Sequence, residues 1–239
     1  MGAAGGVDGC RGGWFSVFLF SSGEWKVGVY PDLNALWHEW KSAAQRILVD
    51  IPIGFPDSGL MERSCDLLAR KILGAQKKSS VFRVPCRKAL YSDDYQTANS
   101  INRRLTGKGI SKQTFHIVPK MRDADKLLRS TPEARSVFRE SHPEICFASF
   151  AKKHMVYAKK CSSGLEERLA LLKELLPHAE DIFRYSVADF RRKDVARDDI
   201  LDAMVMAASA VKRNKLSSLP RNSEYDSCGL KMEIVFPRG

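Results

Sequence analysis

Apolar and polar residues near the start of the chain follow the spacing of β-strands. Residues 14–20 (WFSVFLF) are almost entirely apolar over the length of a strand, and residues 24–30 (EWKVGVY) alternate with a period of two. The segment GGVDG precedes them, and the turn-forming segment SSG lies between them. We therefore predict three strands with tight connections, so that neighbouring strands run antiparallel.

A helix and a parallel strand are predicted next. Asp32 is a residue type favoured at helix N-caps, and the apolar residues after it have helical spacing: Leu33, Leu36, Trp37 and Trp40. Residues 47–51 (ILVDI) then form a short apolar run, which proline and glycine end. A strand that follows a crossover helix is expected to lie parallel to an earlier strand.

The remaining pattern is mainly helical. Residues 57–135 are helical and basic and show no strand set, which predicts a helical insertion of about that length. Later segments predict, in order, a strand over 136–142 (SVFRESH), helices over 164–176 and 197–213, and an edge strand over 231–237 (KMEIVFP). We predict a single layered α/β domain over residues 1–239, with three antiparallel strands followed by parallel strands in a mixed sheet.

The composition is that of a globular protein without a membrane span. Hydrophobic residues make up 44% of the chain, and no apolar run reaches the roughly 18 residues that a span needs. The N-terminal MGAAGG lacks the basic and apolar regions of a secretory signal, so we expect a cytoplasmic protein. The cysteines form no CxxC pair and the histidines form no HxH or HxxxH group, which argues against zinc and for reduced thiols.

The net charge of +11 is concentrated in part of the predicted insertion. Residues 67–92 contain seven basic residues and no acidic one. A solvated surface usually mixes the two signs, so this stretch favours a polyanionic ligand such as nucleic acid, with simple solubility as the alternative.

Acidic residues interrupt elements that are otherwise apolar. Asp8 lies in the first predicted strand, Asp50 near the end of the parallel strand, and Glu140 near the end of the following strand. Asp199 and Asp202 are three residues apart, which places them on one face of the last helix. Each alone has a structural explanation, but in sheets of this order ligands gather beyond the strand ends, where these carboxylates are expected to converge. Because clustered carboxylates repel one another unless cations intervene, their oxygen atoms favour Mg²⁺ or Mn²⁺.

Several short motifs occur in the order that a known family has them. They are GVDGCRGGW, VDIPIG, ERSCDLLARKILG, SVFRVPCR, ESHPE and DDILDA. Together they resemble a family of predicted nucleases with a ribonuclease-H-like fold, a domain-of-unknown-function family of the DUF429 type. The DDILDA helix is also similar to the last catalytic helix of Holliday-junction resolvases. The resemblance covers residues 5–210 and implies a three-layer domain.

This resemblance implies a metal-dependent nuclease. Its catalytic, metal-binding acids would be Asp8, Asp50, Glu140 and Asp199 or Asp202, which would hold two Mg²⁺ or Mn²⁺ ions. The glycines around Asp8 would leave room for a phosphate backbone. The partner would be nucleic acid, DNA or RNA, with phosphates bound by basic side chains: Arg11, Lys77, Lys78, Arg83 and Arg87.

Two other functions stay open from the sequence. The same fold and charge suit a module that binds nucleic acid without catalysis, which would bind in a salt-sensitive way and cleave nothing. A phosphotransferase of the actin and sugar-kinase type has a similar core. However, the sequence contains no second glycine-rich phosphate loop and no GxxxxGK[ST] motif.

Overall fold

The strands predicted near the start of the chain form one sheet with two later strands. The computed structural model describes residues 2–59, 62–212 and 215–238. The strands of this sheet are β1 (Ala3–Cys10), β2 (Gly13–Phe20), β3 (Trp25–Tyr30), β4 (Ala44–Val49) and β5 (Phe138–Glu140). Their order is β3-β2-β1-β4-β5, and β1, β2 and β3 pair antiparallel, whereas β4 pairs in parallel with β1 and β5. The predicted mixed α/β sheet is confirmed.

Helices account for most of the other described residues. They are α1 (Leu33–Trp40), α2 (Ser64–Lys77), α3 (Arg87–Leu90), α4 (Tyr95–Thr106), α5 (Lys112–Ser130), α6 (Pro132–Val137), α7 (Pro143–Ala151), α8 (Ser162–Leu175), α9 (Ala179–Asp189) and α10 (Arg197–Val211). Two short strands, β6 (Leu216–Leu219) and β7 (Ile234–Pro237), lie near the end of the chain. No helix within the described residues is long and apolar enough to cross a membrane.

The chain divides into two compact units. The first contains the five-stranded sheet and consists, within the described residues, of Met1–Asp50, Ser136–Ser217 and Val235–Gly239. The second consists of Ile51–Arg135 and Ser218–Ile234. It includes the predicted insertion of about 57–135, together with a late segment that no sequence pattern assigned to it. A single domain over residues 1–239 stays a prediction.

In the first unit, helices cover both faces of the sheet. Asp32 caps the N-terminus of α1, since its Oδ1 accepts a hydrogen bond from the Ala35 N–H at 2.7 Å. At the other end of α1, the Trp40 ring stacks on Phe18 with centroids 3.6 Å apart. α10 packs on the opposite face against β1, β2 and β4, and α7, α8 and α9 pack against α10. The arrangement is consistent with a three-layer ribonuclease-H-like domain.

Gly6 allows α10 to approach β1 closely. A Cβ atom at Gly6 would lie 2.1 Å from the Ala203 carbonyl oxygen and 2.2 Å from the Ala207 nitrogen, so a side chain would push the helix off the sheet. Gly5 faces the other way, where a Cβ would lie 2.5 Å from the Phe18 ring. The expectation that these glycines leave room for a phosphate backbone is therefore corrected at both positions, which serve packing.

Several predicted elements have different bounds in the structure, among them the strand expected over 136–142 and the helix expected over 197–213. The strand expected over 136–142 is shortened to β5, because α6 begins at Pro132, a residue suited to the first helical position, and continues through Val137. The helix expected over 197–213 ends at Val211, and Arg213 lies outside the described residues.

Candidate functional site

Asp8 and Asp50 come from neighbouring parallel strands. Val7 of β1 lies opposite Val49 of β4, and the Asp50 N–H donates a hydrogen bond to the Val7 carbonyl oxygen at 3.0 Å. Successive side chains of a strand point to opposite faces, so Asp8 points to the same face as Gly6, which is covered by α10. Asp50 lies two residues after Leu48, so the two side chains share a face of the sheet. Leu48 belongs to the apolar core that α10 completes, which places Asp50 on the α10 face as well.

The close packing of α10 brings Asp202 to this face. Asp202 directly precedes Ala203, the residue that touches Gly6, and its side chain is 1% exposed. Its Oδ2 accepts a hydrogen bond from Lys159 Nζ at 2.6 Å. Its Oδ1 is buried and has no hydrogen-bond partner among the described residues.

Asp198 and Asp199 lie in the first turn of α10 beside this group. Asp199 Oδ2 accepts a hydrogen bond from the Ala196 N–H at 2.9 Å, which satisfies a backbone donor at the start of the helix. Asp198 Oδ2 lies 3.8 Å from Lys159 Nζ. The two residues therefore border the site, and Asp199 stabilises the start of α10.

The loop over residues 152–160 positions Lys159. Its Val156 and Tyr157 N–H groups donate hydrogen bonds to the Glu167 carboxylate at 2.8 and 3.1 Å, and Arg168 Nη1 donates to the Tyr157 carbonyl oxygen at 3.2 Å. Both partners belong to α8, which fixes the loop from one side. The sequence analysis did not identify Lys159, because this loop has no regular pattern.

Burial and like charges raise the pKa values of these carboxyl groups. Burial raises the pKa of Asp8 well above its usual value, and the nearby charges of Asp50 and Asp202 raise it further. Burial raises the pKa of Asp202 to about 6, although Lys159 opposes this shift. Burial also raises the pKa of Asp50, and here His142 and Lys159 oppose the shift. The carboxylates in turn raise the pKa of Lys159, and Asp202 has the largest effect. One ammonium therefore offsets only part of the negative charge gathered here.

A cleft opens beside the carboxylates. Its volume is about 410 Å³, and its cationic side chains are Arg11, Lys160, Arg192 and Lys193. The rest of the lining consists of Gly9, Cys10, Asp194, Ala196, Asp198 and Asp199. We call this feature the basic cleft.

The order of the sequence motifs agrees with a comparison to known families. The family model described as "Protein of unknown function (DUF429)" matches residues 6–225. The chain belongs to this family. No curated protein and no solved structure matches the chain. The matched region of this DUF429 chain includes all the residues of the candidate site.

In this DUF429 chain, Glu140 does not lie beside Asp8, Asp50 and Asp202. It lies opposite Val49 in the register of β4 and β5, and Val49 lies opposite Val7, so all three point away from the face that carries Asp8. The acid from this part of the chain that acts on the site is Glu144, whose charge raises the pKa values of Asp50 and Asp202. Glu144 also accepts a hydrogen bond from the buried Arg168. The sequence could distinguish these two acids only once the register of β5 was known.

The predicted phosphate contacts have different surroundings. Arg11 lines the basic cleft, whereas Lys77, Lys78, Arg83 and Arg87 belong to the second unit of the DUF429 chain. Arg87 donates to the fully buried carboxylates of Asp125 and Asp226. Arg83 Nε lies 3.2 Å from Glu62 Oε1, and Lys78 is exposed. Arg87 is thus held within the protein, which corrects its interpretation as a phosphate contact.

The donor atoms of this site suit a hard divalent cation. Among the described residues, no group of three or more His, Cys, Asp or Glu side chains is arranged to hold a metal ion. The cation beside the carboxylates of the DUF429 chain is the Lys159 ammonium, and the buried Asp202 Oδ1 still has no hydrogen-bond partner among the residues described. Carboxylate oxygens are the kind of ligand that Mg²⁺ and Mn²⁺ prefer, so the chemistry of these donor atoms suits such an ion although their present arrangement does not enclose one. An ion bound here would compete with Lys159 for Asp202.

Proposed function

We propose that this DUF429 protein is a divalent-metal-dependent nuclease that hydrolyses phosphodiester bonds. The observation that carries the proposal is the meeting of Asp8, Asp50 and Asp202 on one face of the sheet, with the Lys159 ammonium beside them. Burying carboxylates with too little countercharge costs several kcal/mol. A divalent cation bound here would offset that cost.

The residues of such a site would have different roles. Asp8, Asp50 and Asp202 would hold Mg²⁺ or Mn²⁺, and Asp199, which accepts a hydrogen bond from Ala196, would lie at the margin. A bound divalent ion supplies charge stabilisation at the phosphate and a more acidic water. Lys159 keeps its proton because the carboxylates raise its pKa, so its partly exposed ammonium can donate a hydrogen bond to a phosphate oxygen.

The direct test is a cleavage assay on defined substrates. Single-stranded, double-stranded and branched DNA, and single- and double-stranded RNA, are incubated with Mg²⁺ or Mn²⁺ and the wild-type protein, Asp8→Asn or Asp50→Asn. We expect cleavage that chelation abolishes and that either substitution lowers by at least about 10²-fold, because each removes a charged ligand while keeping its shape.

Glu140→Gln is the matched control for these two variants. It changes a buried acid on an adjacent strand in the same chemical way, but on the opposite face of the sheet. Its folded fraction should cleave within a few-fold of the wild type. Cleavage that survives both Asp8→Asn and Asp50→Asn would remove this site from the reaction and the proposal with it.

A non-catalytic nucleic-acid-binding module is the second candidate, and the Lys159 contact favours it. An ammonium 2.6 Å from Asp202 Oδ2 supplies countercharge without any metal. This candidate requires binding that weakens with salt and no cleavage with any of the substrates or ions above. The cleavage assay and a binding assay on the same oligonucleotides separate the two functions.

A further inference from the structure

The cations of the basic cleft come from three separate segments. Arg11 lies in the turn between β1 and β2, Lys160 lies between α7 and α8, and Arg192 and Lys193 lie between α9 and α10. All four side chains are exposed, and none forms an ion pair with a carboxylate of the described residues. Their charge is therefore available to a ligand.

The acidic residues of the same cleft already have partners. Asp194 Oδ2 accepts a hydrogen bond from Arg191 Nε at 2.7 Å, and Asp199 Oδ2 accepts one from the Ala196 N–H at 2.9 Å. Asp198 Oδ2 lies 3.8 Å from the Lys159 ammonium. An incoming group thus meets unpaired cations and paired carboxylates, so the cleft favours an anion.

The size of the cleft limits what can enter it. A volume of about 410 Å³ is that of a small-molecule site and is comparable to one nucleotide unit. A double helix is far larger, since its major groove alone is about 12 Å wide. A double helix cannot enter a cleft of this size and could present only its outer phosphates to the exposed cations, whereas a single strand could place a whole nucleotide inside.

We infer that the basic cleft binds a backbone phosphate of a single-stranded nucleic acid and leads that strand to Asp8, Asp50 and Asp202. The inference rests on the proposed nuclease function for the identity of the polymer. The cleft reaches the carboxylates through Asp198 and Asp199, which line it and which begin the helix that carries Asp202. A phosphate bound among the four cations would therefore belong to a nucleotide next to the one at the carboxylates.

The test measures binding and cleavage separately. Fluorescence anisotropy in EDTA gives the affinity of a labelled single strand and of the same sequence as a blunt duplex, at several salt concentrations. The double variant Arg192→Ala/Lys193→Ala is compared with Lys26→Ala/Lys41→Ala. The control pair removes the same charge from exposed lysines of the same unit, and Lys26 lies on the face of the sheet that carries Phe18.

We expect the cleft variant to bind the single strand about tenfold more weakly, with a log–log salt slope smaller by about 1. The control pair should change affinity by less than about threefold, and the wild type should prefer the single strand to the duplex. Millimolar inorganic phosphate should compete with the strand in the wild type and not in the cleft variant. Competition by free phosphate with no single-strand preference would identify a site for small phosphates and overturn the inference.

Failure of this inference and failure of the proposed function are distinguishable. The inference is overturned if both double variants lose affinity equally, or if the duplex binds as tightly as the single strand. Metal-dependent cleavage observed alongside either result would still support the nuclease. Selective loss in the cleft variant without any cleavage by the wild type upholds the cleft as a strand-binding site and removes the nuclease.

Discussion

The chain has two regions rich in cations, and they differ in what those cations contact. In the basic segment over residues 67–92, arginine side chains contact acidic residues of their own unit: Arg70 and Arg83 contact Glu62, and Arg87 contacts Asp125 and Asp226. In the basic cleft, the four cations are exposed and form no ion pair with a described carboxylate.

This difference shows that charge counted along a sequence can overstate the charge available at a surface, because the three arginines of the segment have acidic partners while its lysines at positions 71, 78 and 88 are exposed. The acids that engage the basic segment lie outside it, at Glu62, Asp125 and Asp226, so a window over residues 67–92 shows only one sign. The cations of the cleft lie far apart in the chain, so no window shows them together. Four predictions test or sharpen this contrast.

The largest effect is expected for Arg87→Ala. The substitution leaves the fully buried carboxylates of Asp125 and Asp226 without their partner, which should lower the free energy of unfolding by about 3–5 kcal/mol. Urea unfolding measures this change, with Arg83→Ala as the control. The Arg83 side chain is 29% exposed, so the loss of its ion pair with Glu62 should cost about 1 kcal/mol or less. A stable Arg87→Ala protein that has lost nucleic-acid affinity would make the basic segment the binding surface.

The next effect concerns the pH dependence of stability in EDTA. Burial raises the pKa of Asp202 to about 6, so the folded state binds more protons than the unfolded state between about pH 4 and 6. This group's contribution to the free energy of unfolding therefore falls as pH rises through that window, by about 2–3 kcal/mol.

Urea unfolding at pH 4 and pH 7 checks the sign of this change. Asp202→Asn should lose less stability over that range than the wild type, by the stated amount. The exposed Asp189→Asn, in the same unit, should behave as the wild type. An equal pH dependence in all three proteins would mean that Asp202 is ionised in the fold at an ordinary pH.

A third prediction concerns Lys159, which lies beside the cleft and donates a hydrogen bond to Asp202. Lys159→Met keeps the hydrocarbon stem and removes the ammonium, so a divalent cation would no longer compete with it for Asp202. Mn²⁺ should then stabilise the variant by about 1–2 kcal/mol more than the wild type, measured as the shift in thermal unfolding at a fixed concentration. The adjacent Lys160→Met is the control and should respond as the wild type. A smaller Mn²⁺ shift in Lys159→Met would show that Lys159 supports cation binding.

The smallest effect is expected for Lys78→Ala. Lys78 is exposed but does not line the basic cleft, so the affinity for a single-stranded oligonucleotide should change by less than about twofold. Lys193→Ala, measured by the same anisotropy titration, should weaken binding several-fold. Reversal of that order would return the binding surface to the basic segment.

Local patterns predicted much of the sheet and little of the site's surroundings. Alternation and helical spacing gave β1, β2, β3 and α1, because each depends on neighbours in sequence. Glu140 was misplaced because a shift of one residue in strand register moves every side chain to the other face. Arg11 was predicted, but Lys159 and the other cations of the cleft were missed because they lie in irregular segments between helices. The segment that carries Lys159 is fixed by tertiary contacts with Glu167 and Arg168.

The contact of α10 with Gly6 has a consequence for how the protein is made. About 190 residues separate Asp8 from Asp202, so a nascent chain on the ribosome carries the first two acids long before the third is synthesised. Until that last helix docks, the three carboxylates are not assembled. The candidate site therefore forms only after most of the chain has been synthesised.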